Sequence, residues 1–228
     1  MTSAGNDIIA LNYIDKIRTK QERFYSKFLS PAEVNLYSAG NFSGLTFENF
    51  VWLLWSVKES VYKFCKRNSA RLAFSPGKII SQSLQAPLKS NFHCFGTGDI
   101  ENTFLIKDEC WSCTVSAETG DYYSRSKVYD EVIYTVVNDT DNFENIWWGI
   151  KYIDSCDAAH QSESVRHFAL EKIKAIYPNT RLDIAKSPVG YPVLIVNETE
   201  VNLPVSFTHH NHFIGYALKL AGETLCRS

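Results

Sequence analysis

Apolar residues recur at helical spacing through Phe50 to Lys66, FVWLLWSVKESVYKFCK, where Val51, Leu54, Trp55, Val61, Tyr62 and Phe64 share one side. This predicts the long helix around which the rest of the chain is organised. Ahead of it, AGNDIIAL (residues 4–11) reads as a short apolar strand interrupted by one acid, Asp7. Asn12 to Phe28 reads as a helix, with Ile14, Ile17, Phe24 and Phe28 inward and Lys16, Arg18, Lys20, Arg23 and Lys27 outward. Ser30-Pro31-Ala32-Glu33 opens a further helix as a capping box, with Ser at the N-cap, Pro at N1 and Glu at N3. After Asn68 to Pro76 breaks the pattern, Gly77 to Leu84 reads as a strand. Several short strands are predicted from Gln85 to Thr119, ending in CWSCTVSAE, with turns at Gly96-Thr97-Gly98-Asp99 and Gly120-Asp121. Lys127 to Asn138 reads as another strand, and Asn138 to Asn145 as a polar loop. The second long helix is predicted from Asp157 to Ile176, with Val165, Phe168, Ala169, Ile173 and Ile176 on one face. Strand-like Arg181 to Ala185 and Val193 to Val196 follow, and LPVSFTHHNHFIGYALKL supplies a last pair of strands.

The order of elements hints at a duplication: strand, long helix, then an antiparallel set, repeated over halves of about 110 residues. The expected architecture is α+β, with halves at residues 1–122 and 123–228. Each half would pack a long helix on a small antiparallel sheet, the two related by a pseudo-twofold.

Composition is that of an ordinary globular chain, and an aromatic content of 14% predicts a core rich in Phe, Tyr and Trp. A net charge of -2 argues against a general nucleic-acid binder, so any basic site is local. The start lacks a basic region followed by an apolar run, and no window reaches the roughly 18 apolar residues of a membrane span. No membrane partner and a cytoplasmic location are expected. Cys65, Cys94, Cys110, Cys113, Cys156 and Cys226 are scattered, which predicts reduced thiols; Cys110 and Cys113 form a lone CxxC without the second pair that a structural zinc needs.

Chemistry concentrates in the organising helix. Glu59 and Lys63 are four apart and Lys58 adjoins Glu59, so all three charged groups are expected at one end of a pocket. Two readings fit: a surface salt-bridge pair, or a carboxylate that holds a hard cation beside ammonium groups that hold phosphate. Asp7 likewise either caps a turn after Gly5 and Asn6 or binds a cation. The basic residues of 12–28 form a solvated face or dock an acidic partner. His209, His210 and His212 do not make a three-ligand metal site, because adjacent strand residues face opposite sides.

Three segments read together resemble one family. GNDII (5–9), WSVKESVYK (55–63) and GYPVL…VSFTHHNHFIGYAL (190–218) are similar to the G-x-D, W-x-x-K-E-A-x-x-K and G-K-P…S-x-S/T-H motifs of 4'-phosphopantetheinyl transferases. ERFYSKFLSPAEVNLY (22–37) resembles a stretch of the holo-acyl-carrier-protein synthase type. That type has subunits half as long, which assemble as trimers with sites between protomers. Here the second half is expected to supply the neighbouring surface, giving a monomeric pseudo-dimer with its site at the seam. The motif order is the reverse of the longer surfactin-synthetase-activating type.

The resemblance implies a magnesium-dependent transfer of the 4'-phosphopantetheine arm of coenzyme A to a serine of an apo acyl or peptidyl carrier protein, releasing adenosine 3',5'-bisphosphate. Such a step serves fatty-acid, polyketide or nonribosomal peptide synthesis. It implies Asp7 and Glu59 as metal ligands, with Ile9 where the longer type often has a second acid. Lys63 is implied as the phosphate lysine, and Glu59 also as base for the serine, directly or through a metal-bound water. His209 is implied at the coenzyme A 3'-phosphate, with Lys58, Ser206 and Thr208 as further coenzyme contacts. Carrier proteins are acidic near the modified serine, so Arg18, Arg23 and Lys27 are expected docking contacts.

Two departures stand out. Tyr191 replaces the G-K-P lysine, and the Gly-rich turn after the helix is replaced by residues 65–71, where Lys66, Arg67 or Arg71 are expected to hold phosphates instead. These departures leave a second possibility, a divergent or non-catalytic member that binds coenzyme A or another phosphate ligand.

Overall fold

The computed structural model describes residues 3–40, 42–69, 71–88, 99–102 and 105–220, and in it the strand β1 (Gly5–Ala10) is buried along its whole length. A 3-10 turn at Leu11–Tyr13 leads to two one-turn helices, α1 (Lys16–Thr19) and α2 (Glu22–Tyr25). The single helix expected from Asn12 to Phe28 does not form. Asp15 caps α1 by accepting the Arg18 N–H at 2.9 Å, and the extended Gln21 (ψ 126°) restarts the chain before α2. Ile17, expected inward, is 80% exposed, whereas Phe24 and Phe28 pack against Trp52 and Trp55 as the pattern required.

Helix α3 (Pro31–Gly40) starts with the predicted capping box: Ser30 Oγ accepts the Glu33 N–H and Glu33 Oε2 accepts the Ser30 N–H. Helix α4 (Phe47–Asn68) is capped by Thr46, whose side chain accepts the Asn49 N–H, and ends in Lys66 and Arg67, which favour the negative end of the helix. Its stripe of Phe50, Val51, Leu53, Leu54, Val57, Val61 and Phe64 is buried, at about 1.5–3 kcal/mol for each large side chain. The helix lies directly on β1: a Cβ on Gly5 would sit 2.2 Å from the Ser60 carbonyl, so only glycine permits the approach.

The strands β2 (Ile80–Gln85), β4 (Trp111–Ala117), β5 (Gly120–Val128) and β6 (Val132–Asn138) join β1 in a five-stranded antiparallel sheet ordered β1-β6-β5-β4-β2, with β3 (Ile100–Asn102) lying elsewhere. The strand expected from Lys127 to Asn138 is two strands. The chain turns at Tyr129–Glu131, around the Asp130-Glu131 pair, and β5 pairs back on β6. A second, four-stranded antiparallel sheet is ordered β11-β12-β7-β3, from β7 (Ile146–Tyr152), β11 (Val205–His210) and β12 (Phe213–Lys219). Strand β7 was not evident from the pattern; its run IWWGIKY is apolar on both faces, as a central strand packed on both sides requires. Helix α5 (Ala158–Ile176) precedes a small antiparallel ladder of β8 (Leu182–Lys186), β9 (Pro192–Val196) and β10 (Thr199–Val201), of which β10 was likewise unforeseen.

The two sheets pack face to face through Ile8, Tyr134, Val136, Trp148, Ile150 and Phe213. Helix α4 covers the outer face of the first sheet through Val57, Val61 and Phe64. Helix α5 covers the outer face of the second, where Phe168 meets Tyr216 edge-on with ring centres 5.0 Å apart. Each of the two long helices thus packs on an antiparallel sheet, as expected. The expected division at residue 122 falls within β5.

At the edge where the sheets meet, β1 has backbone donors that no strand takes up. Ser206 Oγ, Thr208 Oγ1 and His210 Nδ1 of β11 accept the N–H groups of Asn6, Ile8 and Ala10 at 3.3, 3.1 and 3.1 Å. Alternate side chains of one strand thus replace a backbone ladder. Among the described residues no helix is long and apolar enough to cross a membrane. The expected turn at residues 96–98 and two of the cysteines, Cys94 and Cys226, lie outside the described residues. Burial pushes the Cys110 thiol up to about 11 and Cys113 to about 12, so neither offers a thiolate near neutral pH.

Candidate active site

Asp7 enters the site because β1 alternates. Ile8 faces the core between the sheets while Asp7, buried to 3% exposure, faces α4 and β11. One turn of α4 apart, Glu59 and Lys63 share a face, and their charged ends are 3.7 Å apart. Lys63 Nζ also donates to Asp7 Oδ1 at 3.0 Å and to Thr208 Oγ1 at 3.3 Å. Desolvation, then the neighbouring Asp7 carboxylate, push the Glu59 carboxyl above its ordinary value, against the pull of Lys63 and of the Trp55 side chain. Asp7 Oδ2 is buried and has no hydrogen-bond partner. An orphaned carboxylate oxygen beside a second carboxylate fits a hard divalent cation, whose remaining positions water and phosphate oxygens would fill.

Next to this acidic pair lies a cleft of about 370 Å³ between α4, α5, the β8–β9 turn and β11. Its cationic wall consists of Lys63, Lys66, Arg67, Arg166 and Lys186, joined by His209, and no carboxylate is among its described lining residues. Lys66 donates to the Leu72 carbonyl at 2.9 Å. Arg67 donates to the Pro192 carbonyl at 3.2 Å and lies over the Tyr191 ring, 4.8 Å from its centre. Partial desolvation, then the positive charges of Lys63 and His210, hold the His209 imidazole below its ordinary value.

Three expectations need correction. Lys58 does not reach the cleft: consecutive helix positions differ by about 100°, so Lys58 turns into the core while Glu59 faces the site. Its ammonium is fully buried, 2.8 Å from Glu33 Oε1, and donates to the Pro76 carbonyl at 3.0 Å and to the Ile79 carbonyl. Burial pushes Lys58 below the ordinary lysine range, against the attraction of Glu33. Thr208 is 3% exposed and its hydroxyl donates to Asp7 Oδ1 at 3.1 Å, so it is engaged with the acid and not open to phosphate. Ser206, by contrast, does line the cleft: its Oγ accepts the Asn6 N–H, which leaves its own proton to donate. Arg71 lines a separate cavity on the other side of Tyr62, with Cys65, Leu72 and Lys78.

Arg18, Arg23 and Lys27 are exposed on α1, α2 and the segment after it; the Arg18 guanidinium lies 4.9 Å over the Phe24 ring, and Arg23 Nε donates to Gln21 at 3.0 Å. Sequence reasoning missed Arg166 and Lys186. The only signal for Arg166 was its place beside Val165 on the inward stripe of the second long helix, and Lys186 stood out only as the last residue of a strand before Ser187-Pro188.

The fold and site define a mixed α/β protein with antiparallel sheets, which brings an acidic pair and a cationic cleft together at the junction of two sheets. The chain belongs to the 4'-phosphopantetheinyl transferase superfamily, whose model matches residues 3–122, more than half of the 228 residues. No curated protein and no solved structure matches the chain.

Proposed function

We propose that the protein transfers the 4'-phosphopantetheine arm of coenzyme A to a serine of an apo acyl or peptidyl carrier protein, releasing adenosine 3',5'-bisphosphate. The observation that carries this reading is the cleft itself: five cationic side chains and no described carboxylate along it, on a protein of net charge -2, opening beside Asp7 and Glu59. A ligand with three phosphates suits such a wall.

Asp7 and Glu59 would hold a magnesium ion, which when bound would neutralise charge on the pyrophosphate oxygens. Lys63, anchored between Asp7 and Glu59, stands where charge develops as the phosphorus is attacked. Lys66, Arg67, Arg166 and Lys186 hold the nucleotide end, and His209 takes the 3'-phosphate. Arg67 stacked on Tyr191 brings a cation to the position of the G-K-P lysine, which supports compensation for that departure. Glu59, with its raised carboxyl, accepts the serine proton directly or through a water. Carrier docking on Arg18, Arg23 and Lys27 belongs to the same reading, as do a monomeric pseudo-twofold arrangement divided near residue 122 and a cytoplasmic location. The two long helices, each covering the outer face of one sheet, support that arrangement.

The test is intact-mass measurement of apo carrier proteins incubated with the protein, coenzyme A and magnesium, beside Glu59→Gln. A gain of one phosphopantetheine arm, lost in the variant, is the expected result. Coenzyme A binding without any gain across several carriers would instead identify a divergent binding member.

A further inference from the structure

Thr208 sits in the middle of β11 with its side chain turned away from the cleft, into the seam with β1. Two groups that can only donate contact its Oγ1: the Ile8 backbone N–H at 3.1 Å and the Lys63 ammonium at 3.3 Å. A hydroxyl has two lone pairs and one proton, so both lone pairs are used and the proton is left for one acceptor. That acceptor is Asp7 Oδ1, at 3.1 Å. Oδ1 therefore receives both Lys63 and Thr208, while Oδ2 receives nothing.

We propose that Thr208 is a positioning residue, whose hydroxyl fixes the rotation of the Asp7 carboxylate so that Oδ2 is held free for the divalent cation. This rests on the transferase reading above. The hydroxyl cannot drift, because the rungs on either side, Asn6 N–H to Ser206 and Ala10 N–H to His210, lock the register of β11 against β1. The Thr208 methyl is fixed as well, lying where a Cβ on Gly215 would approach it to 3.3 Å. His209, the next residue along, faces the opposite way into the cleft. One strand thus holds the acid through Thr208 and presents the neighbouring His209 to the coenzyme cleft.

The experiment titrates Mn²⁺ by electron paramagnetic resonance and measures KM for coenzyme A at saturating metal, for wild type, Thr208→Val and Thr208→Ser. Thermal unfolding of each is followed in parallel. Thr208→Val keeps the methyl and loses the hydroxyl; we expect its Mn²⁺ affinity to fall about 10- to 100-fold, the usual cost of removing a group that orients a metal ligand. Its KM for coenzyme A is expected to stay unchanged, and Thr208→Ser to bind Mn²⁺ like wild type. Unchanged Mn²⁺ affinity in Thr208→Val would overturn the proposal. So would a matching rise in KM, which would place the hydroxyl on phosphate, or an equal loss in Thr208→Ser, which would assign the effect to packing. Should Thr208→Val not fold, Thr208→Cys, a weak donor of similar size, replaces it with the same expected loss. A wild-type protein that neither binds Mn²⁺ nor transfers the arm would instead sink the transferase reading itself.

Discussion

Lys63 is the side chain on which the two parts of the site turn: it contacts both carboxylates and also lines the cationic cleft. Replacing it by Ala is expected to lower kcat/KM about 10²- to 10³-fold, the usual loss for one preorganised group at developing charge, and steady-state kinetics check this. His209 makes a pH prediction. Its imidazole is held below the ordinary value in the free protein, and a bound phosphate would favour the charged form. Binding of coenzyme A should therefore take up a proton, and affinity should improve as pH falls through the raised value of the complex, levelling off once pH is below the lowered free-protein value. Calorimetry in buffers of different ionisation enthalpy measures that uptake, and His209→Gln should abolish it and weaken binding by about 1.5–3 kcal/mol. At this scale Glu59 and Lys63 were legible because i, i+4 spacing is local geometry. Lys58 was not, since which side of a helix is covered depends on what packs against it.

Helix α4 is held in place by an unusual anchor. Glu33 carries the α3 capping box on Oε2, while its Oε1 accepts the Ser81 N–H of β2 and pairs with Lys58 of α4, with both charged side chains fully buried. One carboxylate therefore ties α3, α4 and β2 together beneath the helix that carries Glu59. Truncating one partner leaves a buried charge alone, so Glu33→Gln or Lys58→Met should each cost about 3–5 kcal/mol in urea unfolding. The double variant should lose clearly less than the sum of the two, because neither charge is stranded. A Lys58 that instead bound phosphate would give Lys58→Met a raised KM for coenzyme A with little loss of stability. Element prediction succeeded where a period was long and capped, as in α4 and α5. It failed between Asn12 and Phe28, where Asp15 and Gln21 divide an apolar spacing that looked continuous, and at β7, whose two apolar faces carry no period.

Charge is distributed unevenly over the molecule: a net charge of -2 coexists with a cationic cleft and an exposed basic surface on α1 and α2. Reversing Arg23 and Lys27 to Glu should raise KM for the carrier, increasingly so at low salt, while KM for coenzyme A stays unchanged; an unaltered carrier KM would remove that surface from the docking site. The seam between the sheets was only partly visible in advance. The sequence by itself determined the two long amphipathic helices and the capping box, because each depends on neighbours within a turn or a strand, and it put forward Asp7, Glu59, Lys63 and His209 through their resemblance to the family's motifs. The tertiary structure alone decided that Lys58 is an internal anchor, that the Thr208 hydroxyl bonds to Asp7, and that Arg166 and Lys186 line the cleft. Those contacts join residues far apart along the chain, as between Asp7 and Thr208 or Lys58 and Glu33. No local period encodes them; they follow from how two sheets and two helices close on one another.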